Sequence, residues 1–156
     1  MTALTGQAGG TSGVTALLST PRRGPQTTGY VAGPGNTIMG HFVWADPIEG
    51  TVANTRTAPW QLLRYLLPVH GDWNRVYFEN GFWYLRSGLP ATVFAAGNLR
   101  MRFAGGAQSG SPVYAALVDG SAISGVALNA ELTPWVVTSN CGPWGFAHIS
   151  TWSTFA

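Results

Sequence analysis

A chain of 156 residues with eight basic and six acidic side chains has a net charge of +2 and a charged fraction of 9%, where ordinary soluble domains carry about 25%. The length fits one domain with an arm, and so small and scattered a charge excludes the basic face that nucleic-acid binding needs. A single cysteine, Cys141, rules out an internal disulfide or a zinc cluster and makes a reducing compartment the default.

The sparse charge has a further consequence. A free monomer keeps its surface charged to stay soluble, so much of this surface is expected to be covered by copies of itself or by a larger assembly. A small domain rich in Thr, Ser and Asn is the plainer alternative. All eight basic residues are arginines, which enter interfaces more readily than lysines, although a GC-rich genome gives the same bias. The first 20 residues lack the basic start and apolar segment of a signal peptide. No apolar run approaches the roughly 20 residues that cross a bilayer.

Residues 1–36 are rich in Gly, Thr, Ser, Ala and Pro, with Val14, Leu17 and Leu18 in the one apolar knot. Alone, such a segment cannot offset its ordering entropy. It reads as a loose tail or as an arm that orders against a neighbouring subunit. Gly33-Pro34-Gly35 opens the folded body, expected over 37–156. A strand is predicted over 37–46, a turn from Asp46 to Gly50 and a short return strand over 51–55. Trp60 to Leu67 fits two helical turns or a buried strand, and its periodicity does not decide between them.

Val76-Tyr77-Phe78 and Phe82-Trp83-Tyr84-Leu85 flank Asn80-Gly81, which predicts a β-hairpin on a type I′ turn. Further strands are predicted at 91–95, 99–103, 113–118, 123–128, 134–138 and 146–152. Leu99, Met101 and Phe103 alternate with Arg100 and Arg102, the pattern of a strand buried on one side. Pro134 is placed at the first position of its strand, where a missing N–H is harmless. Short strands about ten residues apart, divided by Gly and Pro, predict an all-β barrel or sandwich of short antiparallel strands. No solenoid repeat is evident.

Gly40-His-Phe-Val-Trp-Ala-Asp46, Thr51-Val-Ala-Asn-Thr55, Gly81-Phe-Trp-Tyr-Leu85, Gly110-Ser-Pro-Val-Tyr114, Trp135-Val-Val137 and Gly145-Phe-Ala-His-Ile149 occur in an order that resembles the structural cement, or capsid decoration, proteins of tailed phages. The likeness spans roughly residues 40–150. Residues 58–74 are longer and more aromatic than that pattern, and the Gly-rich arm has no counterpart in it. The resemblance implies a small β-barrel protein, made in the bacterial host cytoplasm, that binds the exterior of an assembled capsid. Its partners would be the major capsid protein and neighbouring copies of itself as a dimer or trimer, with no nucleic acid, membrane, cofactor or catalytic residue. A tail, neck or fibre component of the same particle shares the composition.

The residues expected at the partner interface are Val14, Leu17, Leu18, Arg22 and Arg23 of the arm, with Trp60, Arg64, Tyr65 and Trp73 of the body. Rings and arginines are the types enriched at interface cores. His70 and Asp72 share a strand face and could form an acid–base pair, but a polar turn explains them. Cys141 and His148 could form a nucleophile–base dyad, yet Asn140-Cys-Gly-Pro143 has no helix after it to lower the thiol pKa. Scattered His, Asp and Glu give no metal spacing. The Gly33 and Gly105–Gly110 loops lack the strand–helix setting of phosphate loops. Seven tryptophans could in part stack on sugars, which makes a carbohydrate-binding module the remaining alternative; core packing accounts for them as well.

Overall fold

The computed structural model describes residues 26–66, 76–79 and 82–152, in which thirteen strands and no helix occur. The all-β class is as expected, but the strands form two closed barrels rather than one. The first comprises β1 (Gln26–Ala32), β3 (Phe42–Asp46), β4 (Thr51–Ala53), β5 (Leu62–Leu66) and β8 (Pro90–Phe94). The second comprises β9 (Asn98–Phe103), β10 (Pro112–Ala116), β11 (Ala122–Ser124), β12 (Ala130–Val137) and β13 (Gly145–Ser150). A three-stranded sheet joins β2 (Thr37–Ile38) to β7 (Phe82–Leu85) and β6 (Val76–Glu79).

The expected hairpin is present. Val76 pairs with Leu85 and Glu79 with Phe82; its Asn80-Gly81 connection lies outside the described residues. The stretch from Trp60 resolves as a strand because both of its faces are covered. Leu66 points into the first barrel, while Tyr65 and Leu63 pack toward the second. Leu99, Met101 and Phe103 are buried as their alternation requires.

Three expectations need correction. The folded body begins by Gln26 rather than at 37, because β1 pairs with β8 and runs parallel to β4. The strand expected over 37–46 breaks at Gly40, whose φ of 77° is a left-handed conformation that glycine adopts without a Cβ clash. Pro134 sits inside β12, at a two-residue register shift against β10. There the Thr133 hydroxyl donates to the Val113 carbonyl at 2.8 Å and accepts from the Trp135 N–H at 3.2 Å. A side chain thus joins the hydrogen bonding where proline has no donor, as bulges permit.

The two barrels have one connectivity. Taken in chain order, the five strands of each follow the cycle first, third, second, fourth, fifth. In each, first and third run parallel, and every other neighbouring pair is antiparallel. The registers coincide as well. Ala45 faces Val52 as Ala115 faces Ala122, and Trp44 faces Ala53 as Tyr114 faces Ile123. The turns match in detail, since the Gly50 N–H donates to the Asp46 carbonyl and the Gly120 N–H to the Ala116 carbonyl, both at 2.8 Å.

Val43-Trp-Ala-Asp-Pro-Ile-Glu-Gly-Thr-Val52 and Val113-Tyr-Ala-Ala-Leu-Val-Asp-Gly-Ser-Ala122 are the visible remnant of this repeat. The β2–β7–β6 sheet has no equivalent in the second barrel. It is inserted between strands of the first, where Met39 and Leu85 extend the barrel interior.

Candidate interaction surfaces

The barrels meet through one aromatic joint. The outer face of the first barrel presents Phe42, Trp44, Leu63, Tyr65 and Phe94, which pack in a single cluster with the interior of the second. Phe42 stands edge-on to Tyr65 at 5.6 Å, and both contact Trp135, at 5.5 and 6.4 Å. These geometries suit rings whose faces are negative and edges positive.

Each buried polar atom of the cluster finds a partner. Trp44 Nε1 donates to Glu131 Oε1 at 3.0 Å, Trp135 Nε1 to the Gly97 carbonyl at 3.0 Å, and Tyr65 Oη to the Arg100 carbonyl at 2.9 Å. Glu131 also lies 3.5 Å from the Arg56 guanidinium. The β10–β11 turn closes the joint. The Phe42 N–H donates to the Gly120 carbonyl, the Arg56 N–H to Leu117 and the Thr55 hydroxyl to Val118.

His41 is a further titratable group at this joint. Its Nδ1 lies 3.1 Å from the Asp119 carbonyl, which only accepts, so in the neutral ring Nδ1 carries the proton. Burial holds its pKa below the ordinary 6.5, assisted by Arg102 and opposed by the carbonyl and charge of Asp119. The unfolded chain therefore binds a proton at higher pH than the folded one. Above pH 6.5 this costs nothing. As pH falls through 6.5 toward the folded pKa, stability falls by up to about 1.4 kcal/mol per unit. Urea midpoints of the wild type and His41→Asn should draw together as pH falls from 7 to 5. A difference that stays constant with pH would show that His41 is not buried as a neutral ring.

The sequence-predicted residues do not form one surface. Val14, Leu17, Leu18, Arg22, Arg23 and Trp73 lie outside the described residues, as do His70 and Asp72. Trp60 is exposed in the turn before β5. Arg64 is half-buried, and its Nη1 donates to the Leu63 carbonyl at 2.8 Å. Tyr65 has no exposed surface. It belongs to the joint between barrels and is not available to an outside partner, and burial raises its pKa.

The remaining chemistry is sparse. Cys141 pairs its backbone with Ala107, its N–H and carbonyl both engaged at 3.0 Å. Among the described residues no hydrogen bond joins its thiol to His148. On the outer face of β9 and β13, Arg102 and Arg100 lie 5.0 and 5.8 Å from the Phe146 ring centroid, within cation–π range. Among the described residues no cluster of three or more His, Cys, Asp or Glu could hold a metal ion. No helix there is long and apolar enough to cross a membrane.

Sequence reasoning missed a different surface. The outer face of the second barrel aligns Pro112 with Val136, and Tyr114 with both Ile123 and Leu132. Its only sequence signal is alternation in β10, where Val113 and Ala115 are buried and Tyr114 is not. Compared with known proteins, the chain matches no protein-family model, and no curated protein matches it in sequence.

Proposed function

We propose that this chain is a structural protein of a tailed-phage particle, a cement or decoration protein that binds the exterior of the assembled capsid and stabilises it. The observation that carries this reading is a surface with few charges and an uncharged apolar strand face, on a fold assembled from barrels joined by aromatic packing. A shell under internal pressure gains from many weak clamps repeated by symmetry, because linked contacts add through effective concentration. The N-terminal residues, Val14 to Arg23 above all, supply the arm in this reading.

A tail, neck or fibre role is the second reading. It is favoured by the stacking of two like barrels in one chain, which suits a tube or shaft. Copy number separates the two. Quantitative mass spectrometry of a purified particle containing this chain should give a ratio to the major shell protein near one, or a simple fraction such as one third, for a cement protein. A handful of copies per particle would move the chain to the tail or neck, and absence from particles would sink both.

A further inference from the structure

The duplication makes the joint between the barrels half of a repeating arrangement. The face of the first barrel that docks on the second is carried by Phe42, Trp44, Leu63, Tyr65 and Phe94. By the shared registers, its equivalents in the second barrel are Pro112, Tyr114, Leu132, Val136 and Ser150. Among the described residues no third barrel packs on Pro112, Tyr114, Leu132 or Val136, and Leu132 is 57% exposed. The receiving side is repeated in part, with Arg64 at the position of Trp135. The β10–β11 turn and Glu131 of the second barrel correspond to the Asp46–Gly50 turn and Leu62 of the first.

We propose that the outer face of the second barrel docks on the first barrel of another copy, so that copies associate head to tail by repeating the intramolecular joint.

The substitutions at the joint argue for this occupant. Arg56 and Glu131 form the ion pair across the intramolecular joint. The register puts Leu62 at the position of Glu131, and by count along the chain Val126 falls at that of Arg56, just past Gly125, whose φ of 91° has no counterpart at Thr55. Both are apolar and exposed, by 40% and 85%. The change is concerted, since an ion pair on one side of the repeat is replaced by an apolar pair on the other. Trp44 and Glu131, hydrogen-bonded within the chain, become Tyr114 and Leu62. Other differences weaken the copy: Thr55, whose hydroxyl donates to Val118, is matched by Gly125, and Phe94 by Ser150. Phe42 donates its N–H to Gly120, whereas Pro112 has none to donate. The intermolecular joint thus rests on apolar burial and is weaker than the intramolecular one.

Such a joint is heterologous, and it closes into a ring or extends as a filament according to the rotation between copies. It stands whether or not the chain belongs to a virion, because the particle reading is tested by copy number and this one by the purified full chain.

Sedimentation velocity over a concentration series up to about 1 mM, the weak end of specific association, should show mass rising beyond one chain. Val126→Arg and Leu62→Glu each set a charge against an apolar partner and should weaken association about tenfold or more. Mixing the two variants should restore it, because the new charges face each other at one joint and the original residues at the next. Leu132→Asp should abolish association with either variant as partner through its second barrel. Unchanged melting curves would show that these exposed substitutions leave the fold intact. A wild type that stays one chain throughout would overturn the proposal and assign the face to another segment of this chain or to an unlike partner. Association that neither charge weakens, or that mixing fails to restore, would overturn it equally.

Discussion

Gly120→Ala is expected to destabilise the protein by about 2–5 kcal/mol, while Gly50→Ala costs only about 1–2 kcal/mol. The two glycines hold equivalent turn positions with φ of 71° and 72°, so the penalty for placing alanine in the left-handed region is common to both. Their surroundings differ. A Cβ on Gly120 would lie 2.0 Å from the Phe42 carbonyl oxygen, and one on Gly50 would meet nothing within 4 Å. The obstacle at Gly120 is backbone, so it cannot swing aside as a side chain would. At this chain length 1 kcal/mol shifts the melting temperature by about 2–4 °C, which separates the two variants in a thermal melt. Equal losses would mean that the β10–β11 turn does not seat against the first barrel.

Trp135→Ala should cost about 3–5 kcal/mol, the range for removing a large buried ring. The ring is 1% exposed, touches both Phe42 and Tyr65, and donates Nε1 to Gly97. Its loss leaves a cavity where the outer face of the first barrel meets the interior of the second. For that reason the effect should not add to that of Phe42→Ala. A double-mutant cycle in urea should return an interaction energy of about 0.5–3 kcal/mol, as for residues that share a cavity. Wild-type unfolding should be a single transition by every probe. Additive losses, or separate melting of the barrels, would show that the joint does not couple the two barrels.

This joint also explains part of the small share of charged residues. A barrel that docks through its outer face must be apolar on both sides of several strands, as β3 is, with Phe42, Val43, Trp44 and Ala45 all buried. In a lone barrel the outward half of those positions would be polar. Part of the low charge is therefore spent inside the chain, at the joint. The rest appears on the second barrel's outer face, and self-association tests whether that face is covered in the same way.

The all-β class, the hairpin around Asn80-Gly81 and the one-sided burial of β9 were legible in the sequence because they depend on neighbours along the chain. Alternation, turn residues and glycine positions act over a few residues, and their physics survives without tertiary context. The duplication was not legible. Closing a barrel constrains which strands pair and which side chains face inward, and many sequences satisfy those two demands. Only the β3–β4 and β10–β11 hairpins, where a tight turn demands Gly50 and Gly120, keep a visible likeness.

Residue by residue, Tyr65 and Trp60 show the same division. Both read as large rings fit for an interface, but only the packing of β5 between two barrels decided that Tyr65 is buried and Trp60 is not. Pro134 read as a strand start because proline lacks a donor, and only the Thr133 hydroxyl, brought against Val113 by the fold, let it sit within β12. The sequence by itself determined where the chain turns and which side chains avoid water. The tertiary structure alone decided which apolar faces meet each other, because burial is non-directional and any of several faces could have satisfied it.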